Sequence, residues 1–185
     1  MDRFLNKYRI ESNRLKNWDY GQNGFYFITI CIQNREKLFG EVEEGKMIMN
    51  ELGKIAEEIW LKIPVQFDFV KVRNYIIMPN HLHGIIEICK TKEQMDKDVD
   101  LRKYYLNLEK GGFSGHKNPM LNNNLSRVIN WFKGRATFEI RKIHSDFQWQ
   151  SLFWDSIIKN QKMYFKFDQY ISYNPQNWKE DKFYL

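Results

Sequence analysis

Two of the four histidines in the chain stand one residue apart, in the stretch MPNHLHG at residues 78–84. Apolar residues come before and after this stretch, which is typical of β-strands. Successive side chains of a strand point to opposite faces, so we expect His81 and His83 on one face and Leu82 in the core. Two neighbouring imidazoles can each lend a nitrogen to one metal ion. Taken alone, the pair is at least as compatible with structural or surface histidines.

A tyrosine and a carboxamide stand close together near the C-terminus, in the stretch FDQYISYNPQNW at residues 167–178. Tyr170 and Asn174 are one helical turn apart, so they share a face of the helix predicted there. Tyr170 lies beside the apolar stripe, where its hydroxyl could reach a site, although packing and capping are the alternative roles. Tyr173 is the competing candidate, but it lies off the face that Tyr170 and Asn174 share.

Several segments have the composition and alternation of strands. They are rich in aromatic and β-branched residues and are bounded by turn residues. A turn at MPN suits a hairpin between the second and third of them. The segments are 24–34, 67–79 and 81–89, with one or two further short strands within 147–159.

Apolar residues at helical spacing predict helices at 50–64, 124–144 and 161–175, with Asn124 as an N-cap. Residues 90–122 have no periodicity, and we interpret them as a mobile insertion. The order of the elements predicts an α+β fold, with helices packed on one face of an antiparallel sheet.

Composition limits the class of protein. At 185 residues and 43% hydrophobic content, the chain suits one folded domain over residues 1–185. Its two cysteines are too few for a disulfide framework or a cysteine-rich zinc site. There is no apolar run near the roughly 18 residues of a membrane span, and no signal-peptide pattern. We therefore expect a cytoplasmic protein with no membrane partner.

The chain is moderately basic, with a formal net charge of +6 and a pI of about 9.2. Basic residues cluster near the start of the chain and in the predicted helix 124–144, with aromatic residues among them. This mixture suits single-stranded nucleic acid, where phosphates meet cations and bases stack. On charge alone, a solvated basic face is the favoured alternative. The candidate DNA-binding residues are Arg14, Lys16, Arg127, Lys133 and Arg135.

Taken together, MPNHLHG and the later YISYNP at residues 170–175 resemble the REP-associated tyrosine transposases. These belong to the single-tyrosine HUH-type transposases and pair a PNHxH strand with a YIxxNP helix. The similarity also includes YFITICIQNREKLFG, FKGRAT and WQSLFWDSIIKN, so it covers most of the chain. Two motifs in the right order are far more specific than either motif alone.

The resemblance implies a ferredoxin-like α+β domain that cleaves and rejoins single-stranded DNA beside hairpins. It implies a divalent metal ion, Mg²⁺ or Mn²⁺, bound by His81, His83 and Asn174. Tyr170 would be the nucleophile and would form a 5′-phosphotyrosine intermediate. The expected partner is single-stranded DNA with a hairpin, bound by a monomer or a homodimer. We also expect the histidine pair to lie on an exposed site rather than in the core.

Two other classes of function stay open. One is a domesticated hairpin-binding protein of the same fold that has lost cleavage, although such a protein would not need the intact histidines and Tyr170. The other is a metal-dependent hydrolase of small phosphoesters, which would need neither the basic helix nor a tyrosine over the metal ion.

Overall fold

A four-stranded antiparallel sheet forms the centre of the protein, whose computed structural model describes residues 18–106 and 123–184. Its strands are β1 (Gly24–Cys31), β4 (Val70–Met78), β5 (His81–Ile88) and β6 (Trp154–Ile158). The order across the sheet is β4-β5-β1-β6, so β4 and β6 are the outer strands. These bounds agree with the strands predicted from the sequence.

The chain order through this sheet is the ferredoxin-like βαββαβ arrangement. Helix α1 (Glu51–Leu61) connects β1 to β4, and helix α4 (Leu125–Ile140) lies between β5 and β6. A separate hairpin of β2 (Gly40–Glu43) and β3 (Lys46–Met49) precedes α1, and the short helix α2 (Ile63–Gln66) follows it. The predicted α+β, ferredoxin-like fold class is therefore confirmed.

Asparagine caps begin three of the helices. Asn50 accepts a hydrogen bond from the backbone N–H of Gly53 at the start of α1. Asn124 does the same for Arg127 at the start of α4, as predicted. Asn160 begins α5 (Gln161–Tyr173) in the same way. Each carboxamide oxygen satisfies an amide that has no partner within the first turn of its helix.

Helix α3 (Lys92–Leu106) occupies part of the segment 90–122, in which the sequence shows no periodicity. The sequence did not predict this helix because it is rich in charged residues and has no apolar stripe. Lys97 meets Glu93 one turn earlier at 2.8 Å, in an exposed ion pair of a kind that adds little stability. Residues 107–122 lie outside the described residues, so a mobile insertion over 90–122 stays a prediction.

The two faces of the sheet pack against different helices. Side chains such as Tyr26, Ile28 and Leu82 point to the face on which α1 and α4 pack, and they form the main core. The opposite face carries Phe27 and Ile85 against α5. Two helices thus share one face as predicted, and the tyrosine helix lies on the other face.

The glycine of MPNHLHG serves the packing of the main core. A Cβ atom at Gly84 would lie 2.5 Å from Cζ2 of Trp60 in α1, so only glycine lets the indole approach the sheet. His83 and Ile85 on either side of it point to the opposite face. No helix in the described parts of the chain is both long and apolar enough to cross a membrane.

Candidate metal and tyrosine site

His81 and His83 lie at the start of β5 and point to the face that carries α5. Their ring centroids are 4.4 Å apart. They are only 0% and 1% exposed, so our expectation of an exposed site was wrong. Their burial comes from α5 and from residues 178–184, which we call the C-terminal cover. The Phe183 ring of this cover lies 4.6 Å from the ring of His81.

Asn80 fixes the orientation of the His81 ring. The Nδ2 group of Asn80 donates to the backbone carbonyls of Phe183 at 2.8 Å and Arg35 at 3.2 Å. Its Oδ1 therefore faces Nδ1 of His81 at 2.8 Å and accepts that hydrogen. The lone pair of His81 then lies on Nε2, which is the arrangement that metal-binding histidines usually show.

Thr29 and Tyr170 contact the two nitrogens of His83. The hydroxyl of Thr29, on the neighbouring strand β1, lies 2.8 Å from Nδ1. The hydroxyl of Tyr170 lies 3.3 Å from Nε2. The structure thus brings the strand motif and the helix motif into direct contact, as sharing one site requires.

Two buried polar atoms at this site have no hydrogen-bonding partner among the described residues. They are Nε2 of His81 and Oδ1 of Asn174. Burying such atoms without a partner costs free energy, so atoms of this kind indicate a ligand. An imidazole nitrogen and a carboxamide oxygen are both atoms that bind metal ions in proteins. Asn174 stands at the end of α5, one turn after Tyr170.

Asp181 of the C-terminal cover completes the group. Its Oδ2 accepts hydrogen bonds from the hydroxyl of Tyr170 at 3.1 Å and from Nδ2 of Asn174 at 2.7 Å. Ligand atoms of His81, His83 and Asp181 all lie within 4.8 Å of one another, so this group could hold a metal ion. A cavity of about 360 Å³ opens beside it and is lined in part by Tyr170, Asn174 and Asp181.

The electrostatics suit a cation and disfavour a free tyrosinate. Burial lowers the pKa of His81 to about 4 and the pKa of His83 well below its usual value. Both imidazoles are therefore neutral at pH 7, the form that binds metal ions. Burial, followed by the charge of Asp181, raises the pKa of Tyr170 well above its usual value of 10.0. Without a cation nearby, Tyr170 keeps its proton.

The candidate DNA-binding residues within the described part of the chain lie away from this group. Arg14 and Lys16 lie outside the described residues. Arg127 donates to Oδ1 of Asn123 at 2.7 Å, and Arg135 forms an ion pair with Glu139 at 2.7 Å. The candidates Arg127, Lys133 and Arg135 are all on α4, which packs on the face of the sheet opposite the histidine pair.

Lys133 is partly buried, which lowers its pKa to about 8. Its amine donates to the carbonyls of Gln150 and Ser151, at 2.5 and 3.1 Å. These contacts give Lys133 a structural role in the described chain. Phosphate binding by the candidate basic residues stays a prediction.

Sequence reasoning missed three residues of the site. Asn80 lies within the MPNHLHG stretch, but we assigned it only to a turn. Thr29 is one of several β-branched residues of β1, and Asp181 is one of 23 acidic residues, so neither stood out. Thr29 could have been found only from its position opposite His83 on the neighbouring strand, and that position follows from the register of the sheet, which the sequence alone does not give.

Comparison with known proteins gives a family and a fold. A protein of Haemophilus influenzae, described as uncharacterized, is 36% identical over 176 residues, which cover 94% of this chain and 92% of that protein. Since the match spans nearly the whole of both chains, this chain belongs to the family of that Haemophilus influenzae protein. No protein-family model matches the sequence.

A solved structure of a REP-associated tyrosine transposase bound to a REP hairpin has a similar fold. The TM-score is 0.57 at 17% sequence identity, and the alignment covers 93% of this chain and 77% of that chain. At this identity the likeness shows a shared fold. It agrees with the fold that the two sequence motifs implied.

Proposed function

We propose that the protein is a metal-dependent single-stranded DNA transposase, which cleaves and rejoins DNA next to hairpins through a 5′-phosphotyrosine intermediate. The observation that carries the proposal is the contact of the Tyr170 hydroxyl with His83, inside a buried group of metal-ligand side chains. The sequence resemblance to REP-associated tyrosine transposases and the shared fold support it.

In this proposal His81, His83 and Asn174 hold a divalent cation, and the carboxylate of Asp181 supplies a further ligand oxygen. The unpartnered His81 Nε2 and Asn174 Oδ1 atoms support this set. Two imidazoles beside oxygen ligands suit Mn²⁺ at least as well as Mg²⁺. When bound, such an ion polarises a phosphodiester and stabilises the charge that develops during cleavage.

Tyr170 is the proposed nucleophile. Its oxygen attacks the phosphorus of the scissile bond, the bond to the 3′ oxygen breaks, and that oxygen leaves with a proton as a 3′-hydroxyl. The phosphate stays on the tyrosine and carries the downstream strand. Asp181 already accepts the hydroxyl hydrogen of Tyr170, so it is placed to take the proton. Attack by a 3′-hydroxyl reverses the step, and rejoining therefore needs no nucleotide cofactor.

The proposed substrate is single-stranded DNA beside a hairpin. The structure of similar fold is that of a REP-associated tyrosine transposase bound to a REP hairpin, and the net charge of +6 suits a polyanion. Binding should weaken as salt rises, because protein cations displace condensed counterions.

A binding protein without cleavage activity is the second candidate. The burial of both histidines under the C-terminal cover favours it, because no phosphate can reach them in this conformation. The raised pKa of Tyr170 also favours it, because a tyrosine that keeps its proton is a weak nucleophile. The two candidates differ in one product, a covalent bond between protein and DNA.

Covalent capture tests the proposal. The protein is incubated with Mn²⁺ and a hairpin DNA with single-stranded tails, labelled in turn at each end, and separated on a denaturing gel. The wild type should give a shifted band that carries only the label downstream of the cut. Tyr170→Phe removes one oxygen and little packing, so it should fold and give no band.

Tyr173→Phe is the matched control, because Tyr173 is on the same helix and 52% exposed. This variant should still give the band. Loss of the band in Tyr173→Phe with capture intact in Tyr170→Phe would move the nucleophile to Tyr173. No band from the wild type at any Mn²⁺ concentration, with hairpin binding retained, would favour the binding protein.

A further inference from the structure

A tryptophan on the edge of the sheet stands on the same face as the histidine pair. Trp154 of β6 pairs with Thr29 of β1, and Thr29 pairs with His83 of β5. Residues directly opposite each other on neighbouring strands project from the same face. Trp154 and His83 are therefore two strand spacings apart, or about 10 Å.

Trp154 is unusually accessible for its size. Its side chain is 53% exposed, whereas Trp60 and Trp149 are buried in the main core. Large aromatic side chains gain most from burial, so an exposed tryptophan beside a candidate active site indicates a binding role. Neighbouring Leu152 is also exposed, at 41%.

A cavity of about 500 Å³ lies against this tryptophan. Carboxamides, which both donate and accept hydrogen bonds, and one guanidinium dominate its polar lining. Its lining includes Gln33, Asn34, Arg35, Gln150, Leu152 and Trp154. The volume is within the usual range for small-ligand pockets.

The backbone on both sides of the cavity has local features of its own. Asn34 and Arg35 have φ angles of 55° and 57°, in the left-handed region that side chains other than glycine rarely adopt. Backbone strain of this kind persists where surrounding contacts enforce it, often at binding sites. On the other wall, Lys133 binds the carbonyls of Gln150 and Ser151.

We propose that this cavity binds a nucleobase of single-stranded DNA within about three nucleotides of the bond that Tyr170 cleaves, with Trp154 as its stacking platform. The proposal rests on the proposed function. The indole offers a flat face to the base, and the carboxamides and Arg35 can meet its polar edge. The separation of about 10 Å is spanned by at most about three nucleotides, even at the 3.4 Å per-strand rise of duplex DNA.

Binding of a fluorescent hairpin DNA with single-stranded tails, followed by anisotropy without metal, provides the first test. Trp154→Ala should weaken binding about tenfold, the usual effect of removing one stacking aromatic. Trp154→Tyr keeps an aromatic face and should retain most of the affinity. If the alanine variant unfolds, Trp154→Thr replaces it in the experiment, because threonine is favourable in a strand and also lacks the ring.

Leu61→Ala is the control, because Leu61 is 49% exposed on α1, the helix that packs on the opposite face of the sheet. It should bind as the wild type does. Unchanged binding by a folded variant that lacks the Trp154 ring would overturn the proposal. If that variant still forms the covalent adduct, the proposed function stands.

A series of DNAs with a single abasic site locates the base. One abasic position near the cleaved bond should reproduce the loss in the wild type and cause no further loss in Trp154→Ala. If every abasic effect adds in full to the Trp154→Ala effect, no base stacks on this ring and the proposal is wrong. If the wild type neither binds single-stranded tails nor forms an adduct, both proposals fail.

Discussion

At this site, the hydrogen bonds to each histidine ring decide which of its nitrogens is free to bind a metal ion. Asn80 and Thr29 each engage the Nδ1 atom of one histidine, and Nε2 of His83 faces the hydroxyl of Tyr170. The hydrogen of the neutral His81 ring lies on Nδ1, so His81 needs no rotation and no loss of a proton before its Nε2 binds a cation. Preorganisation of this kind increases affinity because less entropy is lost on binding.

Asn80→Ala should therefore weaken Mn²⁺ binding about 10- to 100-fold, because His81 loses the acceptor that fixes its ring. Isothermal titration with Mn²⁺ measures the change. Asn50→Ala is the control, since Asn50 caps α1 on the opposite face and its loss affects stability alone. Equal affinity in Asn80→Ala and wild type would mean that Asn80 does not orient a metal ligand.

At the scale of elements, helix α3 depends on a buried ion pair. The amine of Lys90, just after β5, lies 2.5 Å from Oδ2 of Asp98, and their side chains are 2% and 6% exposed. Lys90 also donates to the carbonyl of Asn123, whose Nδ2 binds the same Asp98 carboxylate. This network joins the end of β5, α3 and the start of α4.

Asp98→Ala should lower the free energy of unfolding by about 3–5 kcal/mol, because it leaves the Lys90 charge buried without its partner. Denaturant unfolding followed by circular dichroism measures the loss as a lower midpoint. Glu93→Ala breaks the solvent-exposed pair with Lys97 and should leave the midpoint nearly unchanged. Similar midpoints for Asp98→Ala and Glu93→Ala would show that the buried pair contributes little.

The sequence predicts those features of the structure that depend on neighbouring residues in the chain, and it does not predict those that depend on tertiary contacts. Apolar periodicity is local, so it predicted β1, β4, β5 and the helices with an apolar stripe. Helix α3 has no such stripe, and tertiary contacts such as Lys90–Asp98 support it. At the site, the two motifs and the family resemblance predicted His81, His83, Tyr170 and Asn174, whereas Asp181 joins the group only through the path of the chain after α5.

At the scale of the whole molecule, the main hydrophobic core and the candidate site lie on opposite faces of the sheet. One face carries the main core with α1 and α4, and the other carries the histidines, α5 and the C-terminal cover. The cover is held by contacts of its own, since Trp178 and Phe183 are buried against Cys31 and Met78. Any ligand that reaches the histidines from this side must displace it.

Phe183→Ala should therefore expose the histidine pair to solvent reagents. A buried phenylalanine contributes about 3–5 kcal/mol and each 1.4 kcal/mol corresponds to tenfold, so we expect His81 and His83 to react at least about tenfold faster. Diethylpyrocarbonate modification followed by mass spectrometry measures each histidine separately. His144 is only partly buried and serves as the internal reference, with an unchanged rate.

Phe165→Ala is the matched control, because Phe165 lies on α5 and is 54% exposed, outside the C-terminal cover. It should leave the protection of both histidines as it is in the wild type. Mn²⁺ should protect the pair in Phe183→Ala, since a bound cation occupies the nitrogen lone pairs that react with the reagent. If His81 and His83 already react as fast as His144 in the wild type, the cover does not close the site in solution, and a phosphodiester could enter without displacing it.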